Sequence, residues 1–474
     1  MGKRRVERPG KLWIATTDIA RGPGCAFYRG LNRVLDEAGF DDHTQDVCRE
    51  FYASGRGRPS MPPESYFRLL MVGYFEGIPS ERGIAWQLGD SLSLKEFVGL
   101  APTERGWDHS TLSKARKRIS LEAHVEVFRW VLRRLRESKL LRGRKLGVDG
   151  TTLRANAAVR AIRRRDSGEA YREFLRRLAR ESGIETPTLA DLKRVDRERR
   201  RKKKTGWNRE WTQPVDPDAR IGKMKSGETR MLHKVEHAVD LETGAMAAVV
   251  VQPGDQGDTK TLETTVEEME ARLEDAEVER GKVRVVVCDK GYHSDETMVG
   301  LKRKGLRSYV AEPQRGRRKW AGKEEEKKAV YLNRRRIRRS CAKGWLARRG
   351  EVVERSFAHC YETGGLRRLY LRGRENIGKR LQIHAAAFNL GLLMRTRYGV
   401  GTPRTLQRYR RLERMSHFER LRRLQSRFRA LWRLRGVLGT RFRLARLPAS
   451  SHFMPRQVPY QHLHSWPKGL LSTG

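Results

Sequence analysis

Apolar residues recur along this chain with two different periods, and the change of period divides it. Over the first 140 residues the spacing is helical throughout. Pro62-Pro63-Glu64 opens a helix whose Tyr66, Leu69, Leu70 and Gly73 share one face. Ser80 is placed to cap the next helix, and Ser93-x-x-Glu96 reads as a capping box ahead of Phe97 and Leu100. Asp108 can cap a short helix over residues 109–119, which turns Leu112, Ala115 and Ile119 inward and Thr111, Ser113, Lys114 and Lys117 outward. A long amphipathic helix follows, with Val125, Phe128, Val131, Leu132 and Leu135 as its buried stripe. Short helices that end on an outward Thr, Ser and Lys face suit a helix-turn-helix reader of a major groove. A plain helical bundle with solvated basic faces fits the same pattern.

At residue 145 the period becomes that of strands. Residues 145–149 read as a short buried strand ending in Asp149, and residues 232–239 and 245–252 as two strands joined by a glycine-containing loop. Asp258 is read as the cap of a helix carrying Leu262, Val266, Met269 and Leu273. Residues 283–289 form the most apolar strand, and it too ends in an acid, Asp289. A helix over 294–303 leads to a strand over 308–311. A basic loop over 315–339 leads to a helix starting near Glu351. A meander followed by alternating strands and helices predicts an α/β fold: one mixed sheet with flanking helices, in the order of elements of the RNase H-like fold. The expected organisation is an all-helical N-terminal DNA-binding domain over 1–140 and an RNase H-like domain over 141–400. The latter holds a basic insertion at about 155–230, and an Arg-rich extension covers 401–474.

Charge narrows the partner. Lys and Arg total 102 against 57 Asp and Glu, a formal net charge of +45. Such self-repulsion is relieved by a polyanion and serves no purpose in a small-molecule enzyme. The insertion carries the block Arg199-Arg200-Arg201-Lys202-Lys203-Lys204, with Trp207 and Trp211 after it, and residues 404–446 hold 15 Arg against Glu413 and Glu419 alone. That last segment is expected to lie on a phosphate backbone. No run approaches the roughly 18 apolar residues of a membrane span, so no membrane partner is expected. The basic start lacks the apolar core of a signal peptide. Cys25, Cys48, Cys288, Cys341 and Cys360 are scattered without any C-x-x-C pair, which suits a reducing cytoplasm and argues against a zinc module.

Breaking or joining a phosphodiester calls for divalent metals held by a few carboxylates on rigid elements. Asp149 and Asp289 end two strands that the expected topology sets side by side. Glu351 or Glu354 can supply a third carboxylate from the following helix, and Glu354 is preferred because Val353, Phe357 and Cys360 or Tyr361 keep it near the apolar stripe. Singly, each acid has an ordinary explanation as a cap or turn residue. His233-x-x-x-His237 with Glu236 has the wrong order for H-E-x-x-H and is read as solvated or paired. Cys288 is read as a small buried hydrophobe.

Several blocks in order carry a resemblance: Gly57-Arg58-Pro59 with Tyr66-Phe67-Arg68; Ser80-Glu81-Arg82-Gly83-Ile84-Ala85-Trp86; Asp108-His109-Ser110-Thr111; Val148-Asp149-Gly150-Thr151-Thr152-Leu153; Asp289-Lys290-Gly291-Tyr292; Val353-Glu354-Arg355-Ser356-Phe357-Ala358-His359; and Gly364-Gly365-Leu366-Arg367-Arg368. From about residue 10 to residue 404 the chain resembles the DDE transposases of bacterial insertion sequences, relatives of retroviral integrase, in the branch with a helical N-terminal transposase domain. The resemblance implies Asp149, Asp289 and Glu354 as a catalytic, metal-binding triad for Mg²⁺, with Mn²⁺ able to substitute. It implies cleavage at the element's inverted-repeat ends and attack of the freed 3′-hydroxyl on target DNA. It further implies a homodimer on double-stranded DNA and a place in the bacterial cytoplasm with the nucleoid. Lys290, Tyr292 and Arg355 match residues near the site and the DNA, with a packed aromatic as the other reading of Tyr292. In the related signature with Tyr, Arg and Lys around the Glu, the three positions hold Ala347, Gly350 and Tyr361. A transposase-derived DNA-binding protein without catalysis, and a nuclease that hydrolyses without joining, stay open at this level.

Overall fold

The computed structural model describes Ala15 and residues 22–52, 60–202, 207–224, 226–276, 283–314, 316 and 318–407. The Gly57-Arg58-Pro59 block and nearly all of the Arg-rich segment lie outside the described residues, which all belong to one compact unit, Met1–Leu412.

Seven helices come first: α1 Pro23–Asp36, α2 Phe40–Cys48, α3 Pro63–Phe75, α4 Glu81–Asp90, α5 Leu92–Phe97, α6 His109–Arg118 and α7 Leu121–Glu137. Ser80, Asp108 and Ser120 cap α4, α6 and α7 through their side chains, as short polar residues at these positions do. The cap of α5 is Ser91 rather than Ser93, so the capping box expected there is not formed. Helix α3 is buried along almost its whole length, which makes it the centre of the helical layer.

The sheet comprises β1 Lys145–Arg154, β2 Arg220–Lys223, β3 Thr229–Asp240, β4 Met246–Pro253, β5 Val285–Cys288 and β6 Arg307–Val310. Its order is β4-β3-β1-β5-β6, with β2 lying beside the first residues of β3. β1 runs antiparallel to β3 and parallel to β5, and β6 continues parallel to β5. An antiparallel meander followed by two parallel strands is the RNase H-like topology that the order of elements predicts. β1 is longer than expected, ten residues, so Asp149 sits at its middle and not at its end. β2 was read as part of a polar insertion. It is a short edge strand whose pairing partner, not its own composition, makes it a strand.

Helices cover both faces. α10 Asp258–Asp275 lies on one side with α11 Asp295–Arg303 and with α12 Glu324–Ile337, which packs on α11 and along β6, and α13 Ser340–Phe357 crosses the other. (The insertion carries α8 Tyr171–Glu181 and α9 Leu189–Lys202, closed over a small core of Phe174, Leu175, Ile162 and Trp211.) Three expectations are corrected here. The segment expected as a basic loop is the helix α12, with three Glu in its first turn and three Arg in its last, an arrangement the helix dipole favours. α13 begins at Ser340, three turns before Glu351, because its first half presents few apolar residues and buries only Ala342 there. Asp258 is the first residue of α10, whose cap is Gly257.

The long α14 Arg374–Tyr398 is buried on nearly every side. It packs on α3, α7 and β4, so a single continuous apolar core runs from Phe27 through the sheet to Leu406. No described helix is long and apolar enough to cross a membrane.

Candidate active site

The parallel register between β1 and β5 pairs Lys145 with Val285, Leu146 with Val286 and Gly147 with Val287. The same offset carries Asp149 to Asp289, and Asp289 keeps an extended backbone just past the end of β5. Adjacent strands lie about 4.8 Å apart, so the two acids stand side by side on one edge of the sheet. Asp149 accepts from the Gly150 N–H at 2.8 Å, and Asp289 accepts from the Gly291 N–H at 2.8 Å in the turn that starts with Lys290. Burial pushes the Asp149 carboxyl above the usual carboxylate range; Arg349 and the Gly150 N–H oppose the rise, and the charge of Asp289 adds to it.

Alternation along the strands sorts the neighbours. Asp149 faces the same side as His237, its direct partner across the β1–β3 ladder. α13 crosses that face: Trp345 packs edge-on against Tyr309 of β6, the Arg349 Nη1 donates to Asp149 Oδ2 at 2.6 Å, and Ser356 meets His237 on β3. His237 is fully buried between Ser356 and Tyr361. The Ser356 hydroxyl donates to the Val353 carbonyl, so it accepts from Nδ1–H, and Nε2 accepts from the Tyr361 hydroxyl.

The opposite face, under Gly150, holds a buried ionic cluster. The Lys234 ammonium lies 2.6 Å from Asp258 Oδ1, 2.9 Å from Glu236 Oε1 and 2.7 Å from Thr261 Oγ1. Glu236 is fully buried and also accepts from Thr261, Thr265 and the Tyr292 hydroxyl, the last at 2.9 Å. A Cβ at Gly150 would come within 3.0 Å of Lys234 Cε and 3.2 Å of Tyr292 Oη, so a larger residue there would press the two side chains outward by a few tenths of an ångström. A Cβ on Gly291 would lie 2.5 Å from Asp258 Oδ2 and 3.1 Å from Asp289 Oδ1, which sets those carboxylates face to face across it.

The site residues expected from sequence are therefore distributed as follows. Asp149 and Asp289 are brought together. Glu354 lies on the helix that covers Asp149, but five residues beyond Arg349, roughly 140° further round the axis, and its side chain is exposed. Among the described residues no three Asp, Glu, His or Cys side chains gather to hold a metal ion. The Glu354 side chain has no ion pair or hydrogen bond among the described residues, whereas Glu351 is tied to Arg348 and Arg355. Lys290 and Arg355 are exposed, as are Lys114 and Lys117 on α6. Thr111 and Ser113 are half-buried, and Ser113 accepts from Arg116. Tyr292 corrects the DNA-contact expectation: it is fully buried with its hydroxyl on Glu236, the packed alternative, because the turn after Asp289 tucks the ring beneath the sheet. The pair His233 and His237 is paired rather than solvated, His233 with Asp216 at 2.9 Å.

Sequence reasoning missed Arg349, Lys234 and the role of Asp258. A signal was present for Lys234 and Glu236. Two charges at alternate positions of an otherwise apolar strand must find partners if the strand is central.

Chemically, two adjacent carboxylates offer the hard oxygen donors that a divalent cation of the magnesium type takes, with open positions left for water and substrate oxygens. Around them Lys234 and Arg349 face Asp149, Asp289, Asp258 and Glu236, so the cluster carries more negative than positive groups. Two carboxylates are present for such an ion, and among the described residues no third ligand side chain gathers with them.

A family described as "Transposase domain (DUF772)" matches residues 19–118. No curated protein matches the chain. Among solved structures the chain is similar to "Mos1 transposase paired-end complex with left transposon end", at 11% identity over 66% of this chain and 82% of that one, with a TM-score of 0.17. The assignment rests instead on the family described as "Transposase DDE domain", which matches residues 148–390, more than half of the chain, and spans both aspartates. The chain belongs to the DDE-domain transposase family.

Proposed function

We propose that this transposase binds the terminal inverted repeats of an insertion sequence and, with Mg²⁺, cleaves their ends and joins the freed 3′-hydroxyls to target DNA. The observation that carries the reading is the β1–β5 register, which sets Asp149 beside Asp289. In this reading Asp149 and Asp289 hold the divalent ion and Glu354, the unpaired acid of α13, completes its ligands. When bound, the ion polarises the phosphodiester and favours the attacking and leaving oxygens. The chain's own contribution is positional. Asp149 is held by the β1 ladder and Asp289 by its turn, so neither side chain has to be ordered when DNA arrives. Lys234 offsets the charge of Glu236 and Asp258 behind them, which leaves the negative field at the front, toward solvent. Exposed Lys290 next to Asp289, Arg355 on α13, and Lys114 and Lys117 on α6 supply phosphate contacts. Pairing of two element ends makes a homodimer on DNA the working assembly, in the cytoplasm with the nucleoid.

The test uses the full chain with a labelled duplex bearing the element's end and a supercoiled target. Mg²⁺-dependent nicking and joined products are expected from the wild type, and neither from Asp149→Asn or Asp289→Asn, with duplex binding kept. Nicking without joining would make the protein a nuclease, and binding with neither a DNA-binding relic.

A further inference from the structure

We propose that Arg349 competes with the divalent ion for Asp149, so that the DNA-free enzyme is held in a weakly metal-binding state; this rests on the reading of Asp149 as a metal ligand.

Both oxygens of Asp149 are engaged, Oδ1 by the Gly150 N–H at 2.8 Å and Oδ2 by Arg349 Nη1 at 2.6 Å. The two side chains are only 14% and 22% exposed, so solvent screens the pair little. A cation approaching Oδ2 meets a fixed positive charge within one ligand distance, and like charges at that range in a half-buried site repel strongly. An ion can take Oδ2 only as the guanidinium leaves.

The arrangement is built into the backbone. Gly147 lies two residues before Asp149 on the same face of β1, and a Cβ there would sit 2.8 Å from Arg349 Cγ and 2.7 Å from Leu241 Cδ2. Any other residue at 147 would deny the arginine stem its path across the strand. Meanwhile the grip is incomplete. One nitrogen reaches the carboxylate instead of the two of a forked pair, and Arg349 Nε is buried without a hydrogen-bond partner among the described residues. A guanidinium held this way loses less on release than a bidentate one. α13 thus presents a cation to Asp149 while its Glu354 is exposed, and among the described residues no third ligand side chain joins the two aspartates.

The experiment is Mn²⁺ binding to the full chain without DNA, followed by the electron paramagnetic resonance of free Mn²⁺. Arg349→Met, which keeps an apolar stem over Gly147, is expected to bind Mn²⁺ about tenfold more tightly or better, given the loss of a unit charge at contact distance. Arg349→Gln should do the same, and Arg349→Lys, with the charge kept, should stay near the wild type. Asp149→Asn should weaken binding in every background. If the uncharged variants bind within twofold of the wild type, or fail to fold while Arg349→Lys binds more tightly, the competition is overturned. If Asp149→Asn binds as the wild type does, it is the metal-ligand reading of Asp149 that fails.

Discussion

Acidification should loosen this protein well above the pH at which its carboxylates titrate, through histidines that the fold keeps neutral. His124 and His237 are fully buried and their pKa values are pushed down to about 3 by burial, and burial holds His384 well below its ordinary range. Their bonding fits the neutral form. His124 Nδ1 donates to the Ser120 carbonyl and Nε2 accepts from Tyr66, while His237 has the donor and acceptor assignment derived above. A histidine with a folded pKa below its unfolded value of about 6.5 binds fewer protons when folded, so stability falls as pH falls through 6.5 and goes on falling until the folded pKa is reached. Each such group contributes about 1.36 kcal/mol per pH unit once the unfolded form is protonated, hence roughly 1.2 kcal/mol between pH 6 and pH 5, and about 2.4 kcal/mol for His124 and His237 together, with His384 acting in the same direction. That is a sizeable part of an ordinary domain stability of about 5–15 kcal/mol. His43 and His359, also lowered by burial, act in the same direction. Asp216, held low beside His233 despite its burial, stabilises above its unfolded pKa and loses that contribution only as pH falls below about 4, outside this window. The assay is urea unfolding at high salt, read by tryptophan fluorescence at pH 7, 6 and 5. His237→Gln should remove about 1.2 kcal/mol of the stability lost between pH 6 and 5. An unchanged slope in that variant would refute the reasoning.

Other outcomes follow from the same geometry. Lys234→Met leaves Glu236 buried without its counter-ion and should cost about 3–5 kcal/mol in denaturant unfolding, with much of it recovered in Lys234→Met/Glu236→Leu. Glu354→Gln should lower Mg²⁺-dependent nicking by roughly 10²-fold or more, the scale of losing a ligand or its support, while Glu351→Gln stays within a few-fold; equal losses would reassign the third acid. Lys114→Ala and Lys117→Ala should each weaken duplex binding and reduce the slope of log affinity against log salt by about 0.9. Tyr292→Phe should destabilise the fold by about 1–2 kcal/mol by leaving Glu236 short of a donor, with duplex affinity unchanged.

Much of the fold was legible because its elements carry local signals. Ser80 and Asp108 announce helix starts, β4 and β5 are dense in Val, and the order of strands and helices admits few topologies. The elements misread were those whose identity is not local. α12 has charge on every side and buries only Ala329, Val330 and Asn333, so no apolar stripe marks it. β2 exists because β3 pairs with it. The start of α13 was obscure because its first half leans on Tyr309 through a lone half-buried Trp345.

By itself the sequence determined the alternation of strand and helix, the surplus of positive charge, and the two aspartates that follow apolar strand runs, since each depends on residue type and near neighbours. Tertiary structure decided which groups meet. A register offset placed Asp149 against Asp289, and the crossing of α13 brought Arg349, not Glu354, to the carboxylate. Strand alternation turned Lys234 and Glu236 to the far face. Contacts between residues a hundred or more positions apart depend on helix rotation and strand offset, and a shift of one residue in either exchanges one facing side chain for another.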